Sequence, residues 1–350
     1  MKILSGNKTT NSVINMPCGY KKISVVLCGA RYNEFDLRYS ALKLRGIISN
    51  VEIVLSTNDI SLFTQYNGKK TFDKVVLVDD HGALPSLKIG GDSQPNNVNR
   101  MISVALAGIN AASGDLIVRL RTDQILTSNK FLKLIEKVLG VTPLKGGEFY
   151  SPHSKILTSS IFSINPSYSE RLPYHVGDMF QVGYKDDLIR YFSAPEFPFD
   201  YAVWYETRKH LPHSNFYEKQ FRARYAVEQW LTLHYIFGSE DNFPIRFHND
   251  CDSGIIEVME KLIFQYFYIA SPEDLGLRAS KFEGSRLYYT TQCYSTKDSE
   301  SYLRNGYIES KNAKGVSILY RLRDVSTLSS IWRFLPAKIR IILKDKLFGR

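Results

Sequence analysis

Four short apolar runs in the first third of the chain limit its fold more than anything else in the sequence. They are "ISVVLC" (23–28), "VEIVLST" (51–57), "KVVLVDD" (74–80) and "DLIVRLR" (115–121). Each is β-branched, too short for a helix and bounded by turn residues, so each reads as a buried strand. Helical spacing lies between them. "FDLRYSALKLRGI" follows the first run, and "NNVNRMISVALAGINAA" (96–112) precedes the fourth with Ile102, Ala105, Leu106 and Ile109 on one face. Strands alternating with helices predict βαβ units, and so an α/β fold whose mostly parallel sheet is flanked by helices on both faces.

The pattern changes further along. "SNKFLKLIEKVLG" predicts a helix with Ser128 as its cap. Residues 148–225 are irregular and rich in aromatics, Pro and His, and a helix resumes at "YAVEQWLTLHYIFG" (225–238). Residues 266–330 are mixed and Tyr-rich. This organisation predicts one domain over 20–265 and a C-terminal extension over 266–350.

Open α/β sheets bind ligands outside the carboxyl ends of their strands. Here those ends carry "CGARYNEF", "STND", "DDHG" and "RTDQ", so one crevice would gather Arg31, Tyr32, Asn33, Thr57, Asp79, Asp80 and Asp123. No G-x-G-x-x-G follows the first strand, which counts against a dinucleotide site, and no G-x-x-x-x-G-K-[ST] exists, which excludes a P-loop. A diphosphate bound without a glycine cradle needs its charge neutralised in another way. Mg²⁺ or Mn²⁺ held by a carboxylate does this, which gives Asp123 a chemical purpose. Arg121 matches phosphate geometry with two parallel donors, and Arg100 lies on the helix leading into the fourth strand.

The net charge of +10 suits nucleic acid, an anionic membrane or phosphorylated substrates. Its distribution narrows the choice. Arg333, Lys338, Arg340, Lys344, Lys346 and Arg350 stand against a single acid, Asp345, beside apolar Trp332, Phe334, Leu335, Ile339, Ile342, Leu343 and Leu347. Residues 331–350 therefore read as a basic amphipathic segment, interrupted at Pro336, that lies on the anionic inner surface of a cell membrane. A nucleic-acid groove would interleave basic and aromatic residues on one face instead, so no nucleic-acid partner is expected. No apolar run reaches 18 residues and the first 22 residues contain no continuous apolar stretch, so neither a membrane span nor a signal peptide is expected. The cysteines (Cys18, Cys28, Cys251, Cys293) form no CxxC pair, which fits a reducing cytoplasm.

The stretch "ISVVLCGARYNEF…VEIVLSTND…NNVNRMISVALAGINAASGDLIVRLRTDQ" resembles the nucleotide-binding half of a GT-A glycosyltransferase. The portion "NNVNRM…GINAASGDLIVRLRTD" is closer still to the WavE family of lipopolysaccharide synthesis, with Asn-x-x-x-Arg, a helix, and a strand ending in Arg-Ser/Thr-Asp. The likeness is strong over 22–126 and looser over 170–240. It implies a GT-A-like fold and transfer from a nucleotide-sugar donor to a lipid-linked or polysaccharide acceptor, namely lipopolysaccharide core, O-antigen or capsule. It also implies a metal-binding Asp-x-Asp, whose first Asp is Arg121 here.

Two carboxylates are candidates for the base that takes the acceptor's proton. Asp178 stands beside Gly177 in the apolar stretch "YHVGDMFQVGYKDDLIRYF" (174–192), where burial would tune a carboxyl toward neutrality. Glu228 opens a helix, whose dipole would weaken it as a base, yet it resembles the acidic pair that inverting GT-A enzymes carry near the acceptor. The resemblance also marks His248 as a late metal ligand. A direct displacement with one base implies inversion. A sugar-phosphate nucleotidyltransferase is the second enzyme reading, but it would want a Gly- and Lys-rich loop after the first strand, and "CGARYNEF" is not one.

Overall fold

The computed structural model describes residues 22–89, 94–139, 150–167, 170–251, 253–279, 283 and 286–305. The basic segment 331–350 lies outside the described residues.

The four apolar runs form four strands. The chain runs β1 (Ile23–Cys28), α1 (Leu37–Ile47), β2 (Glu52–Thr57), α2 (Ile60–Tyr66), β3 (Lys74–Leu77), α3 (Val98–Ala111) and β4 (Leu116–Arg121). β2 and β4 both pair with β1 in parallel, so Val26 lies opposite Val54 on one side and Arg119 on the other. β3 extends the parallel sheet beyond β2. Every residue of β1 and β2 is buried, which is why both runs read as continuously apolar instead of alternating. Val25 and Leu27 face one core with Leu37, Leu44 and Ile53; Val26 faces the other with Val54, Ile102, Ala105 and Ile109. Burying each of these Val, Leu and Ile side chains contributes about 1.5–3 kcal/mol.

β5 (Gln124–Leu126) and α4 (Lys130–Leu139) follow, and then elements that the sequence pattern does not announce: β6 (Ile156–Ser159), β7 (Phe180–Tyr184), α5 (Lys185–Phe192) and α6 (Phe199–Ala202). α7 (Val227–Phe237) leads to α8 (Ser253–Tyr266), β8 (Phe267–Ala270), α9 (Pro272–Leu275), β9 (Leu277–Ala279), α10 (Arg286–Gln292) and α11 (Thr296–Asn305). The seven-stranded sheet has the order β3-β2-β1-β4-β7-β6-β8, and β5 pairs with β9 apart from it. β7 runs antiparallel to both β4 and β6, while β8 pairs with β6 in parallel. Helices cover both faces, so the α/β, mostly parallel architecture is the observed one. The outermost strand, β8, comes from beyond residue 265, so the sheet draws on the segment assigned to the extension.

One local expectation needs correction. α4 begins at Lys130, and the Ser128 hydroxyl makes no hydrogen bond among the described residues. Ser128 packs against Gly276 instead, where a Cβ would come within 2.2 Å of its Oγ. α7 behaves as read from the sequence: every residue from Gln229 to Phe237 is buried, and Gly238 ends the helix at φ +76°.

Glu52 pins the amino edge of the sheet. Only 6% exposed, it accepts hydrogen bonds from the Ser24 hydroxyl and from the Ser113 N–H (2.7 Å) and hydroxyl (2.9 Å). Lys74 lies 3.2 Å away. Burial pushes its carboxyl up, but these donors outweigh burial and hold it at about 2. A carboxylate depressed in the folded state adds stability above its unfolded value, and that stability is lost as pH falls through the folded one. Denaturant unfolding at pH 7, 4.5 and 3 should therefore show stability falling below pH 4.5. Glu52→Gln should flatten that slope, and an unchanged slope would count against this role.

Candidate active site

Because β1, β2, β3 and β4 are mutually parallel, their carboxyl ends open on one edge of the sheet. Gly29 turns the chain out of β1 at φ +134°, where a Cβ would stand 2.8 Å from Thr122 Oγ1, so glycine is required for this close approach. Thr122 fastens the loop, donating its N–H to the Cys28 carbonyl (3.0 Å) and its hydroxyl to the Ala30 carbonyl (2.7 Å). This places Tyr32 over the end of β4, where its hydroxyl accepts from Arg121 Nη2 at 3.2 Å.

Arg121 and Asp123 form a two-pronged ion pair at that end. Nε donates to Oδ1 and Nη2 to Oδ2, each at 2.9 Å. Asp123 is 1% exposed. Burial pulls the guanidinium's pKa down, but its bonds to Asp123 more than offset this and keep it charged. Nη1 makes no hydrogen bond among the described residues. The donor set does not fit a resident Mn²⁺ or Mg²⁺. Both Asp123 oxygens are engaged by Arg121, and among the described residues no group of three or more His, Cys, Asp or Glu side chains stands close enough to hold a metal ion. His248 is fully buried elsewhere, stacked on Phe221 at 4.3 Å and edge-on to Tyr205 and His210. None of these neighbours is an acid. Burial pushes the His248 imidazole down to about 3, so it is neutral at ordinary pH.

The opposite wall carries both candidate bases. Asp178 precedes β7, and its carbonyl accepts from Arg119 Nη1. Its carboxylate is nearly buried and makes no hydrogen bond among the described residues. Glu228, in the first turn of α7, faces His175, with Oε2 3.3 Å from Nε2. The Glu228, Asp178 and Arg121 charges act on one another across the crevice. Burial raises the Glu228 carboxyl, with Asp178 adding to the effect and His175 and Arg121 opposing it. The sequence argument that a helix dipole weakens Glu228 as a base is thus reversed: loss of hydration outweighs the dipole.

The stretches 161–167 and 170–178, which carry this wall, are tightly built. Phe162 and Tyr174 both hold positive φ (61° and 59°), and Ile164 N–H donates to the His175 carbonyl at 3.0 Å. Strain of this kind is held by its surroundings and clusters at functional sites. At Gly177 a Cβ would come within 2.1 Å of the Ile161 carbonyl oxygen. Gly177→Ala should therefore cost at least about 1–3 kcal/mol, read by thermal unfolding. A variant as stable as the parent would contradict this packing.

The remaining sequence candidates line the outer crevice. Arg31 takes its backbone to Asp59 (3.1 Å) and its guanidinium to Gln65 and the Ser61 carbonyl, so it turns toward α2, away from Asp123. Thr57 is buried and its hydroxyl accepts from the Asp59 N–H at 3.0 Å. Asn33 is exposed at the lip. Asp80 is gripped by Arg100, with Nε to Oδ1 at 2.5 Å and Nη2 to Oδ2 at 2.7 Å. Arg100's bonds, helped by the Gly82 N–H, hold Asp80 at about 2. The structure thus gathers Tyr32, Arg121, Asp123, Asp178 and Glu228 in one group, places Thr57, Asp80 and Arg100 beside it, and sets His248 apart. Sequence reasoning missed His175, which faces Glu228, and Tyr288, whose hydroxyl donates to Glu170 Oε2 at 3.1 Å and lies within the field of Glu228. The first stands three residues before Asp178 in an already suspect segment; the second sits in a Tyr-rich stretch with no distinguishing pattern.

No curated protein matches this chain. Among solved structures it is similar to the glycosyltransferase GlyE of Streptococcus pneumoniae TIGR4 in its apo form (19% identity, 48% of this chain and 35% of that one, TM-score 0.26). It is also similar to the mannosyltransferase PcManGT of Pyrobaculum calidifontis in complex with GDP-Man and Mn²⁺ (12%, 55% and 51%, 0.31), and to S. aureus TarS (11%, 69% and 39%, 0.32). The chain spans between about a third and a half of the length of these structures, and likeness at this level carries no argument about activity. The sequence match is different in kind. Residues 35–333, well over half of the chain, match the family described as WavE lipopolysaccharide synthesis, and the chain belongs to that family.

Proposed function

We propose that this chain is a glycosyltransferase that moves a sugar from a nucleotide-sugar donor onto a bacterial surface glycan, with inversion at the anomeric carbon. The observation that carries the reading is the Arg121–Asp123 pair at the end of β4, facing Asp178 and Glu228. The order β3-β2-β1-β4 with antiparallel β7 beyond it supports a GT-A-like sheet. Membership of the WavE family supports an acceptor in lipopolysaccharide, its core or O-antigen, ahead of capsule.

The chemistry follows from the two walls. Asp123 orients Arg121, whose free Nη1 takes a phosphate oxygen, and the guanidinium stabilises the charge that grows on the leaving diphosphate. Tyr32 and the outer crevice (Arg31, Asn33, Thr57, Asp80, Arg100) bound the space for the nucleoside. Glu228, raised toward neutrality by burial, accepts the acceptor hydroxyl proton as that oxygen attacks the anomeric carbon. The bond to the diphosphate breaks and the nucleoside diphosphate leaves with the electron pair. Inversion follows from one displacement. Residues 331–350 hold the enzyme at the anionic inner face of the cell membrane, where a lipid-linked acceptor is presented. Deleting them should abolish co-sedimentation with anionic vesicles; unchanged binding sinks the tail's role.

A thermal-shift screen of nucleotide sugars, with added Mn²⁺ and with EDTA, tests the donor. A ligand at a hundredfold excess over its Kd stabilises by about 2.7 kcal/mol. The difference between the two arms measures how far an ion carried on the diphosphate shares the work of Arg121. A nucleotidyltransferase would respond to nucleoside triphosphates instead. That reading is disfavoured by the Gly29–Tyr32 loop, which has one glycine and no lysine.

A further inference from the structure

We infer that His175 is the positioning residue of the reaction: through a proton on Nε2 it holds Glu228 ionised and aimed as the base. The inference rests on the transferase reading. The argument begins at the other side of the imidazole. His175 Nδ1 lies 2.7 Å from the Phe162 carbonyl oxygen. A carbonyl only accepts, so Nδ1 carries a hydrogen, and in the neutral ring Nε2 must be the bare nitrogen. That bare nitrogen faces Glu228 Oε2 at 3.3 Å, with both side chains largely withdrawn from water. Two lone pairs facing at this distance repel, so the pair holds one proton between them, and in the active form that proton rests on Nε2 and Glu228 is ionised.

The backbone that sets this geometry is expensive to build. Phe162, which supplies the carbonyl, and Tyr174, which precedes His175, are two of the three non-glycine residues with positive φ among the described residues. Ile164 N–H closes the turn on the His175 carbonyl, and Ser163 Oγ accepts from the Gly177 N–H at 3.0 Å. Local strain aimed at one imidazole nitrogen is what a site that must hold a tautomer requires.

The groups facing Glu228 come from several elements. His175 and Asp178 come from the segment before β7, Arg121 from β4, Tyr191 from α5 and Tyr288 from α10. Tyr288 also donates to Glu170 Oε2 at 3.1 Å. Asp178 disfavours an ionised Glu228, whereas His175 and Arg121 favour it. Arg121 is committed to Asp123, so His175 is the cationic partner that keeps Glu228 ionised. In the transfer the acceptor's proton passes to Glu228, while His175 keeps the protons on Nδ1 and Nε2. Glu228 then gives its proton to water once the nucleoside diphosphate has left.

The test has two arms on the full chain. In the first, ¹⁵N-histidine NMR of the wild-type protein reads the tautomer directly. The expected result at alkaline pH is a neutral His175 ring with protonated Nδ1 and bare Nε2; a neutral ring protonated at Nε2 overturns the inference, and this arm needs no turnover. In the second, the kcat–pH profile is compared for wild type, His175→Ala and His175→Gln. Ionised Glu228 is the active form, so losing a favourable partner should move the acid limb of His175→Ala up by about one pH unit or more. Donor KM should stay near wild type, and His175→Gln, which restores an N–H donor, should bring the limb part of the way back. A merely structural histidine would leave the limb in place while kcat, KM and thermal stability fall together, and that result overturns the inference. Should no nucleotide sugar support transfer while the tautomer is as expected, the transferase reading fails and the proton-sharing pair stands.

Discussion

Glu228→Gln should lower turnover by about 10²–10⁴-fold, the usual contribution of a positioned base, while donor affinity stays close to wild type. The substitution keeps the shape of the side chain and removes its basicity. The expectation rests on two observations: Glu228 stands within 3.3 Å of His175, and burial raises its carboxyl toward the pH range where a base is most effective. Asp178→Asn is the informative partner. Asp178 lies on the same wall, without a hydrogen bond to its carboxylate among the described residues, and is free to bind an acceptor hydroxyl. It should raise the acceptor KM more than it lowers kcat. If Asp178→Asn loses the larger share of turnover, the two roles are exchanged. If both variants turn over within about tenfold of wild type, neither is the base and the inverting displacement must be given up.

Arg121→Ala should damage both stability and donor binding. It strips the partner from Asp123, which is 1% exposed. Removing one member of a buried pair leaves an uncompensated charge and costs about 3–5 kcal/mol. The fall in melting temperature should therefore be several degrees, larger than for Asp123→Asn, because the Arg121 side chain is 22% exposed and has some access to water. For binding, the lost charge-assisted bond to a phosphate oxygen corresponds to about 1.5–3 kcal/mol, or roughly ten- to more than hundredfold in nucleoside diphosphate affinity. Arg121→Lys should recover part of the binding, since it keeps the charge, but not the two-pronged grip on Asp123. Unchanged affinity in both variants would remove Arg121 from the donor site.

How much of this was legible in the sequence depended on how each element is buried. β1, β2 and β4 are covered on both faces, so they appear as unbroken apolar runs, and their order gave the parallel half of the sheet. β6 and β7 are four and five residues long and lie in a stretch of aromatics and prolines where no period of two or 3.6 emerges. β8 follows α8 without a turn, and "KLIFQYFYIA" (261–270) is apolar but for Lys261 and Gln265, a pattern that suits a buried helix or a buried strand equally.

The site divides in the same way. Arg121 and Asp123 could be found because a strand end locates them. Asp178 and Glu228 could be named as separate candidates, but their shared field could not, because it depends on β7 running back beside β4. The direction of the Glu228 shift was misjudged from the sequence, since a helix terminus is visible there and the depth of burial is not. His175 carried no signal of its own: a single histidine near an aspartate becomes meaningful only when both of its nitrogens have known neighbours.

The central claim is that the crevice at the carboxyl ends of β1–β4 splits a nucleotide sugar between sugar and diphosphate. The most direct measurement is ³¹P NMR of the products formed by the purified protein from the nucleotide sugar that stabilises it, in the presence of a lipopolysaccharide acceptor. The expected result is release of the nucleoside diphosphate, dependent on Glu228 and accompanied by an acceptor glycoside of inverted configuration. Pyrophosphate-dependent formation of a nucleoside triphosphate would contradict it, for the bond broken would then lie between the two phosphorus atoms and the protein would be a nucleotidyltransferase.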